Sequence, residues 1–247
     1  MANPDAPRSC LYSKITRYIE LDEFNADYLE KLETGEELFP ARRRLRRAKE
    51  KADALYIVRE GWLYSVRYLG GDRRHVKGLH FPGDVIGLSD VTLEACSADL
   101  ITATDVVLCP VPKAHLKDMF VEAPRIAGIL FAFAAIESLI VSERLAVVSR
   151  LNAEGRIAHL LLQIHARLAV TRPTPNAWFQ MPLSQEVIGD AVSLTQAYVN
   201  RSLKELEDQG LILRRDQGVE LLDVERLKAI GEFEDRFQTI DSSWLPT

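Results

Sequence analysis

The stretch from Met181 to Ile212 constrains the fold more than any other part of the chain, because it predicts two short amphipathic helices joined by a tight turn. Ser184 and Thr195 are typical N-caps, since a hydroxyl at that position accepts from the first free amides of a helix. After Thr195, apolar residues recur at three- and four-residue steps, which is typical of the buried face of a helix. They are Val199, Leu203 and Leu206.

The opposite face of the second helix is polar near its beginning. In a helix-turn-helix, these positions enter the major groove of DNA. Glutamine and asparagine suit adenine and arginine suits guanine, because each can bond two base-edge atoms at once. The pattern favours DNA binding over a generic packed helical pair, the alternative reading. The predicted base contacts are Gln196, Ala197, Asn200 and Arg201.

The next segment, Leu211–Leu222, predicts a strand, a glycine-containing turn at Asp216–Gly218 and a second strand. Such a hairpin is the wing of a winged helix-turn-helix, where basic side chains meet phosphates. Helix pair, wing and side-chain chemistry therefore agree on a DNA-binding domain. The predicted phosphate contacts are Ser193, Thr195, Lys204, Arg214 and Arg215.

The segment LSQEVIGDAVSLTQAYVNRSLKELEDQGLI resembles the winged helix-turn-helix of the catabolite activator / fumarate–nitrate regulator (CRP/FNR) family of bacterial transcription factors. The family's recognition helix usually reads Ser/Thr-Arg-Glu-Thr-Val/Ile-x-Arg. Thr195, Val199 and Arg201 match this pattern, whereas Gln196–Tyr198 depart from it. The glutamate that commonly accepts from cytosine is absent, so the resemblance does not imply the family's usual half-site.

The N-terminal half predicts many short strands, punctuated by glycines and a Gly70–Asp72 hairpin signal. This is typical of a small antiparallel barrel or jelly roll. Asp53–Gly61 and Phe81–Gly87 are similar to landmarks of the same family's cyclic-nucleotide-binding-like β-roll. The predicted fold class is α+β, with an N-terminal antiparallel β-roll, a long dimerisation helix and a C-terminal winged helix-turn-helix.

The ligand pocket implied by the resemblance lacks its two key residues. In members that bind cyclic AMP, a glutamate holds the ribose and an arginine neutralises the phosphate. Here Leu88 and Cys96 stand at those positions. A buried phosphate without its cation is costly, so we expect no cyclic nucleotide and predict no cofactor.

Other chemistries have little support in the sequence. Cys10 stands alone, without the N-terminal cysteine cluster of the iron–sulfur members, and Cys96 and Cys109 are expected to be small buried hydrophobes. There is no glycine-rich phosphate loop, nucleophile elbow or HExxH motif, so we do not expect an enzyme. A nucleotide- or haem-sensing interaction module with lost or secondary DNA binding is the alternative. The five histidines show no ligand spacing and are interpreted as surface or core residues: His75, His80, His115, His159 and His165.

A long helix is predicted over Pro124–Leu151. Its apolar residues repeat every seven positions, which is typical of a coiled-coil seam and favours a homodimer over a helix buried in its own domain. The family resemblance agrees, since its dimer forms along this helix. Arg156–Leu162 then matches the family's Arg-Ile-Ala-x-x-Leu-Leu signature and places a hinge at Leu151–Asn152. The predicted interface residues are Ile126, Ile129, Phe133, Ile136, Ile140 and Val147.

Composition fits a soluble, cytoplasmic regulator. No apolar run is expected to span a membrane, the N-terminus lacks a secretory core, and three cysteines make no even disulfide set. A net charge of −5 limits DNA contact to a local surface, and we interpret the basic run Arg42–Lys51 as a solvated face or an acidic partner's site. Double-stranded DNA and a second copy are the expected partners, with RNA polymerase if the protein is an activator. The predicted segments are a flexible N-terminus 1–20, a β-roll sensor 21–121, a dimerisation helix 122–151, a winged helix-turn-helix 152–233 and a tail 234–247.

Overall fold

A computed structural model describes residues 10–70, 73–171, 177–236 and 240–246. It divides into two compact units. The first contains the described residues up to Ser65, Leu79–Ile136 and residues 240–246, and the second contains the described residues of 66–78 and 137–236. The predicted domain boundaries, which place the whole β-roll in one domain and the long helix in a segment of its own, stay a prediction. The tip of the predicted Gly70–Asp72 turn lies outside the described residues.

The predicted β-roll is confirmed as two four-stranded sheets with the orders β1-β8-β3-β6 and β2-β7-β4-β5. Val58, Leu63, Leu100 and Leu108 are fully buried in its core. Gly61 makes the turn after the third strand at φ +83°, where an added Cβ would lie 2.1 Å from the Asp105 carbonyl oxygen. The strands are β1 (Glu37–Phe39), β2 (Arg44–Arg46), β3 (Ala54–Glu60), β4 (Leu63–Tyr68), β5 (Arg74–His80), β6 (Val85–Ile86), β7 (Asp99–Thr102) and β8 (Val106–Pro112).

Two helices precede the roll, α1 (Cys10–Thr16) and α2 (Glu23–Leu32). The prediction of a flexible N-terminus over residues 1–20 is wrong from residue 10 onward, and residues 1–9 lie outside the described part. Leu11 and Ile15 stand one helical turn apart and are both buried in the core of the first unit. Their burial fixes α1, because two apolar side chains on one helix face have a core to pack against.

Two further helices, α3 (His115–Glu122) and α4 (Pro124–Arg150), follow the roll. The predicted dimer seam along α4 stays a prediction, and in the single chain its residues are buried or half-buried. Ile126, Ile129 and Phe133 lie in the core of the first unit. Ile136 packs against that core, and Ile140 and Val147 are buried as well. The six predicted seam residues thus pack against their own chain: Ile126, Ile129, Phe133, Ile136, Ile140 and Val147.

Another side of α4 carries a second stripe at three- and four-residue steps, whose residues are exposed except for the half-buried Ala134 and Val148. We name it the outer stripe: Phe131, Ala134, Ser138, Val141, Leu145 and Val148. Phe131 and Leu145 are 67% and 71% exposed. The helix is therefore apolar on two sides, and only one of them is covered by the chain itself. Exposed large apolar side chains in a row are typical of an interaction surface.

The sequence predicted no apolar run that could span a membrane, but α4 is an exception by its length and composition. Among the described residues, this one helix is long and apolar enough to cross a bilayer. The core helix of a soluble protein meets the same criterion, and the inner residues of α4 are packed in the protein core.

The second unit is built around one long helix, α5, against which three shorter helices pack. Asn152 caps α5, its side-chain oxygen accepting from the Gly155 amide at 2.9 Å. A three-stranded antiparallel sheet of order β10-β11-β9 completes the unit. The elements are α5 (Ala153–Thr171), β9 (Trp178–Gln180), α6 (Gln185–Val192), α7 (Gln196–Asp208), β10 (Ile212–Arg215), β11 (Gly218–Leu221) and α8 (Val224–Gly231).

The outer part of the β4–β5 hairpin belongs to this second unit because two arginines hold it there. Arg74 donates from Nε and Nη2 to Asp190 of α6, at 2.9 and 2.5 Å. The buried Arg144 of α4 donates from Nη1 to the carbonyl oxygens of Val76 and Lys77, at 3.2 and 3.0 Å. Burial lowers the pKa of Arg144 to about 10, which leaves it protonated at neutral pH.

Candidate DNA-binding interface

The helix pair α6–α7 has the two hydroxyl caps that the sequence predicts. The Ser184 hydroxyl accepts from the Val187 amide at 3.2 Å, and the Thr195 hydroxyl accepts from the Tyr198 amide at 3.4 Å. Both capping residues have extended backbone angles, as N-caps require. The helix starts follow from local chemistry and are confirmed.

The turn between the helices depends on close backbone packing. Ser193 adopts the left-handed conformation at φ 57°, and the Leu194 amide donates to the Gly189 carbonyl at 2.9 Å. An added Cβ at Gly189 would lie 2.4 Å from the Leu194 carbonyl oxygen, so this position requires glycine. The turn brings α7 across α6 at short range.

Arg156 has a role at this turn that the sequence did not show. Its Nε donates to the Leu151 carbonyl at 2.9 Å, and its Nη1 reaches the carbonyls of Val192 and Ser193 at 3.4 Å each. The side chain thus ties the end of α6 to the junction of α4 and α5. The Arg-Ile-Ala signature marked the residue, but two of its partners, Val192 and Ser193, lie 36 and 37 residues away in the chain.

The two faces of α7 are as predicted. Val199, Leu203 and Leu206 are buried, whereas the four proposed base-contacting side chains are exposed. The Arg201 guanidinium lies 5.5 Å from the centre of the Tyr198 ring, a cation–π contact that orients it along the surface. Base contact itself stays a prediction for Gln196, Ala197, Asn200 and Arg201.

The wing is a tight two-residue hairpin. In the β10–β11 pair Arg215 is the register partner of Gly218, and the two residues between them, Asp216 and Gln217, have φ of 51° and 56°. Two positive φ angles are typical of a type I′ turn, whose twist matches that of the flanking strands. The predicted wing is confirmed, and Gly218 begins its second strand.

Both arginines predicted to contact phosphates are paired with carboxylates. Arg214 donates from Nε and Nη2 to Glu207, at 3.1 and 2.8 Å, and Arg215 pairs in the same way with Glu220. These hydrogen bonds from Arg214 hold the pKa of Glu207 below its usual range. Each arginine would therefore meet a phosphate beside a carboxylate that already accepts from its Nε and Nη2. Of the other predicted phosphate contacts, Thr195 serves as the α7 cap, and Ser193 and Lys204 are exposed.

In the β-roll, the two positions that differ from the cyclic-AMP-binding pattern are apolar or neutral. Leu88 packs against the core of the first unit. Cys96 is buried, and its thiol donates to the Lys51 carbonyl at 3.5 Å. Burial raises the pKa of this thiol, so it carries no charge at neutral pH.

A buried ionic cluster lies beside Cys96. Asp90 accepts from the Ser97 hydroxyl at 2.6 Å and from Nη2 of Arg46 at 3.1 Å. Both partners of the Arg46–Asp90 ion pair are at least nine-tenths buried at the side chain. Ser97 follows Cys96, which stands where the phosphate-binding arginine is expected. Its hydroxyl thus already has a carboxylate partner inside the protein. In the described part of the chain, no three His, Cys, Asp or Glu side chains gather as a metal site would require.

The fold and this surface define a class of DNA-binding proteins in which a β-roll of cyclic-nucleotide-binding type is followed by a winged helix-turn-helix. Two family models match the chain: "Cyclic nucleotide-binding domain" over residues 36–123 and "Crp-like helix-turn-helix domain" over residues 155–230. The chain belongs to the CRP/FNR family of DNA-binding transcription regulators, which confirms the resemblance drawn from its motifs.

Individual relatives cover most of the chain. The transcriptional activator protein FnrA of Stutzerimonas stutzeri is 26% identical over 78% of this chain and 75% of its own. The nitrogen fixation regulation protein FixK of Bradyrhizobium diazoefficiens is 28% identical over 72% of this chain and 74% of its own. The structure of FixK2 from Bradyrhizobium japonicum superposes with a TM-score of 0.72 at 25% identity, covering 79% of this chain and 96% of that one.

Proposed function

We propose that this chain regulates transcription as a homodimer that binds an inverted-repeat operator, with one α7 in each of two successive major grooves. The observation that carries the proposal is the exposed polar face at the start of α7, which stands opposite the buried face of the same helix. Two-fold symmetric helix-turn-helix dimers read half-sites about 34 Å apart, one turn of DNA. Regulators of bacterial DNA act in the cytoplasm, which is therefore the proposed compartment.

The side chains of α7 divide into reading and positioning groups. Gln196 and Asn200 are proposed to bond adenine, and Arg201 guanine, while the small Ala197 leaves room for a thymine methyl group. Lys204 and Ser193 are proposed to hold phosphates from exposed positions. Arg214 and Arg215 are proposed to join them from the wing, where each is paired with a carboxylate.

The outer stripe of α4 is the proposed contact between the two copies. Its three- and four-residue steps are those of a coiled-coil seam, and its large apolar side chains are exposed in the single chain. CRP/FNR regulators act as dimers, which supports the same arrangement here. Because the inner residues of α4 are packed in their own chain, the outer stripe is the surface left for a partner.

We further propose that no cyclic nucleotide controls this protein. Three features support this: an apolar Leu88 where the ribose-binding glutamate is expected, a neutral Cys96 thiol where the phosphate-binding arginine is expected, and a Ser97 hydroxyl bonded to Asp90. These residues do not fit the ligand. RNA polymerase is a proposed partner only if the protein activates transcription. FnrA, one of its relatives, is named a transcriptional activator.

Selection of bound duplexes from a random pool, followed by competitive mobility shifts, tests the proposal. The selected sites should be inverted repeats. Arg201→Ala should then lose preference at one base pair in each half-site, by about 1–3 kcal/mol, because one bidentate contact is removed. Arg226→Ala, an exposed arginine on α8, is the matched control and should bind as the parent does.

Two outcomes would contradict the proposal. Equal weakening by Arg201→Ala on every duplex would mean that Arg201 meets phosphate and does not read a base. Failure to enrich any sequence would favour the alternative of an interaction module that has lost its DNA-binding role.

A further inference from the structure

The C-terminal segment 240–246 is seated on the first unit, although it follows the winged helix-turn-helix in the chain. Leu245 is only 7% exposed and lies in the core around α1, α2 and the start of α4. Its contact with α4 falls at Gly128, where an added Cβ would lie 2.8 Å from the Leu245 side chain. Arg125 donates to the Pro246 carbonyl at 2.9 Å and holds the end of the segment in place.

Next to the buried Leu245, Trp244 packs against Phe131, the first residue of the outer stripe. Its ring is 5.9 Å from that of Phe131, centre to centre, at an interplanar angle of 81°, which is an edge-to-face pair. Trp244 is nonetheless 49% exposed, and Phe131 more so. The segment thus adds a large aromatic surface to the N-terminal end of the outer stripe without covering it.

This aromatic addition is separate from the domains that the family models describe, since the helix-turn-helix model ends at residue 230. Its position is continuous with the proposed dimer contact, because Phe131 belongs to both. Tryptophan is enriched among the residues that dominate protein–protein binding. A second copy of the chain, related by two-fold symmetry, presents the same aromatic pair to the first.

We propose that segment 240–246 extends the dimer interface, with Trp244 of each copy packing against the α4 helix of the other. The inference rests on the proposed homodimer and names a contact that the long helix by itself does not supply. Leu245 and Arg125 fix the segment on its own chain, so that little conformational freedom remains to be lost when the Trp244 ring meets the partner.

The test measures the dimer dissociation constant of the full chain by sedimentation equilibrium or by dilution with a fluorescent label. Trp244→Ala keeps Leu245 in its buried position and should raise the dissociation constant of the dimer at least tenfold. Phe24→Ala is the matched control: Phe24 is also an exposed aromatic residue in an aromatic pair, with Tyr28, but lies on α2. It should change the constant less than twofold. Unchanged near-ultraviolet circular dichroism from the remaining tryptophans, Trp62 and Trp178, would show that the variant is folded.

An unchanged or lower dissociation constant in Trp244→Ala would overturn the inference, and a lower one would mean that the segment competes with the partner. The outcome is distinguishable from failure of the homodimer itself. If Leu145→Glu yields monomers while Trp244→Ala dimerises as the parent does, the dimer stands and the role of the segment falls. If the parent chain is monomeric at all concentrations, the homodimer falls with it.

Discussion

His159 shows how a single side chain is fixed by its surroundings in the second unit. It is buried at the contact of α5 with the end of α8, where Nδ1 lies 2.9 Å from the Gly231 carbonyl oxygen. The Phe233 ring packs edge-on against it, and Nε2 is buried with no hydrogen-bond partner among the described residues. Burial therefore lowers the pKa of His159 below its ordinary value of 6.5, and the nearby Arg144 charge lowers it further.

The free energy of unfolding should consequently depend on pH through His159. In the unfolded chain His159 binds a proton below about pH 6.5, whereas in the native protein its side chain resists protonation. Its contribution to the free energy of unfolding is therefore fully present above that pH. It should fall as the pH is lowered from 6.5 towards the native pKa, by at most about 1.4 kcal/mol per pH unit. His159→Gln should reduce this slope in denaturant titrations between pH 7.5 and 5. The half-buried His75, whose pKa is also lowered, should keep part of it.

At the scale of the element, α4 decides how two copies meet. A charge placed on the outer stripe should be costly in a dimer and harmless in a folded monomer, since the position is exposed. Leu145→Glu should therefore yield monomers with the thermal stability expected of an isolated chain. Light scattering coupled to gel filtration measures this directly.

The inner side of the same helix supplies the control. Ile140→Val trims a buried side chain and should lower the free energy of unfolding by about 0.5–1.5 kcal/mol, with no change in the dissociation constant of the dimer. In the reverse pattern, Leu145→Glu stays dimeric and Ile140→Val dissociates. That result would support the dimer seam predicted from the heptad repeat in the sequence.

At the scale of the whole molecule, the proposal that no cyclic nucleotide controls this protein predicts that the ligand does not change its stability. A ligand that binds only the native state raises its stability by about 2.7 kcal/mol at a hundredfold excess over the dissociation constant. Millimolar cyclic AMP should leave the melting temperature of this protein unchanged. A family member with the glutamate and arginine pair serves as the positive control. A rise in melting temperature here would show that Arg46 or another cation replaces the missing arginine.

The sequence predicted those parts of the protein that depend on local chemistry. Ser184 and Thr195 identified the starts of α6 and α7 because a cap bonds amides only three residues away. Alternating and helical apolar patterns predicted the roll and the wing, since each element must bury one face. The exposed face of α7 followed from the same periodicity.

Contacts between distant residues could not be read in this way. The pairing of Arg214 with Glu207 and of Asp90 with Arg46 joins groups whose distance depends on how helices and strands pack. The burial of Leu11 and Leu245 is of the same kind, because a short segment with few apolar residues becomes ordered only where a core accepts it. The local sequence of such a segment does not identify the core that accepts it.

The long helix separates the two levels most clearly. Its sequence by itself determined that a helix of this length forms and that it is apolar along its whole course. It did not determine which apolar stripe is covered, because the sevenfold repeat of Ile126, Phe133, Ile140 and Val147 and the repeat of the outer stripe have the same spacing. Only the tertiary structure decided this, because the core that covers one side of the helix is built from other parts of the chain.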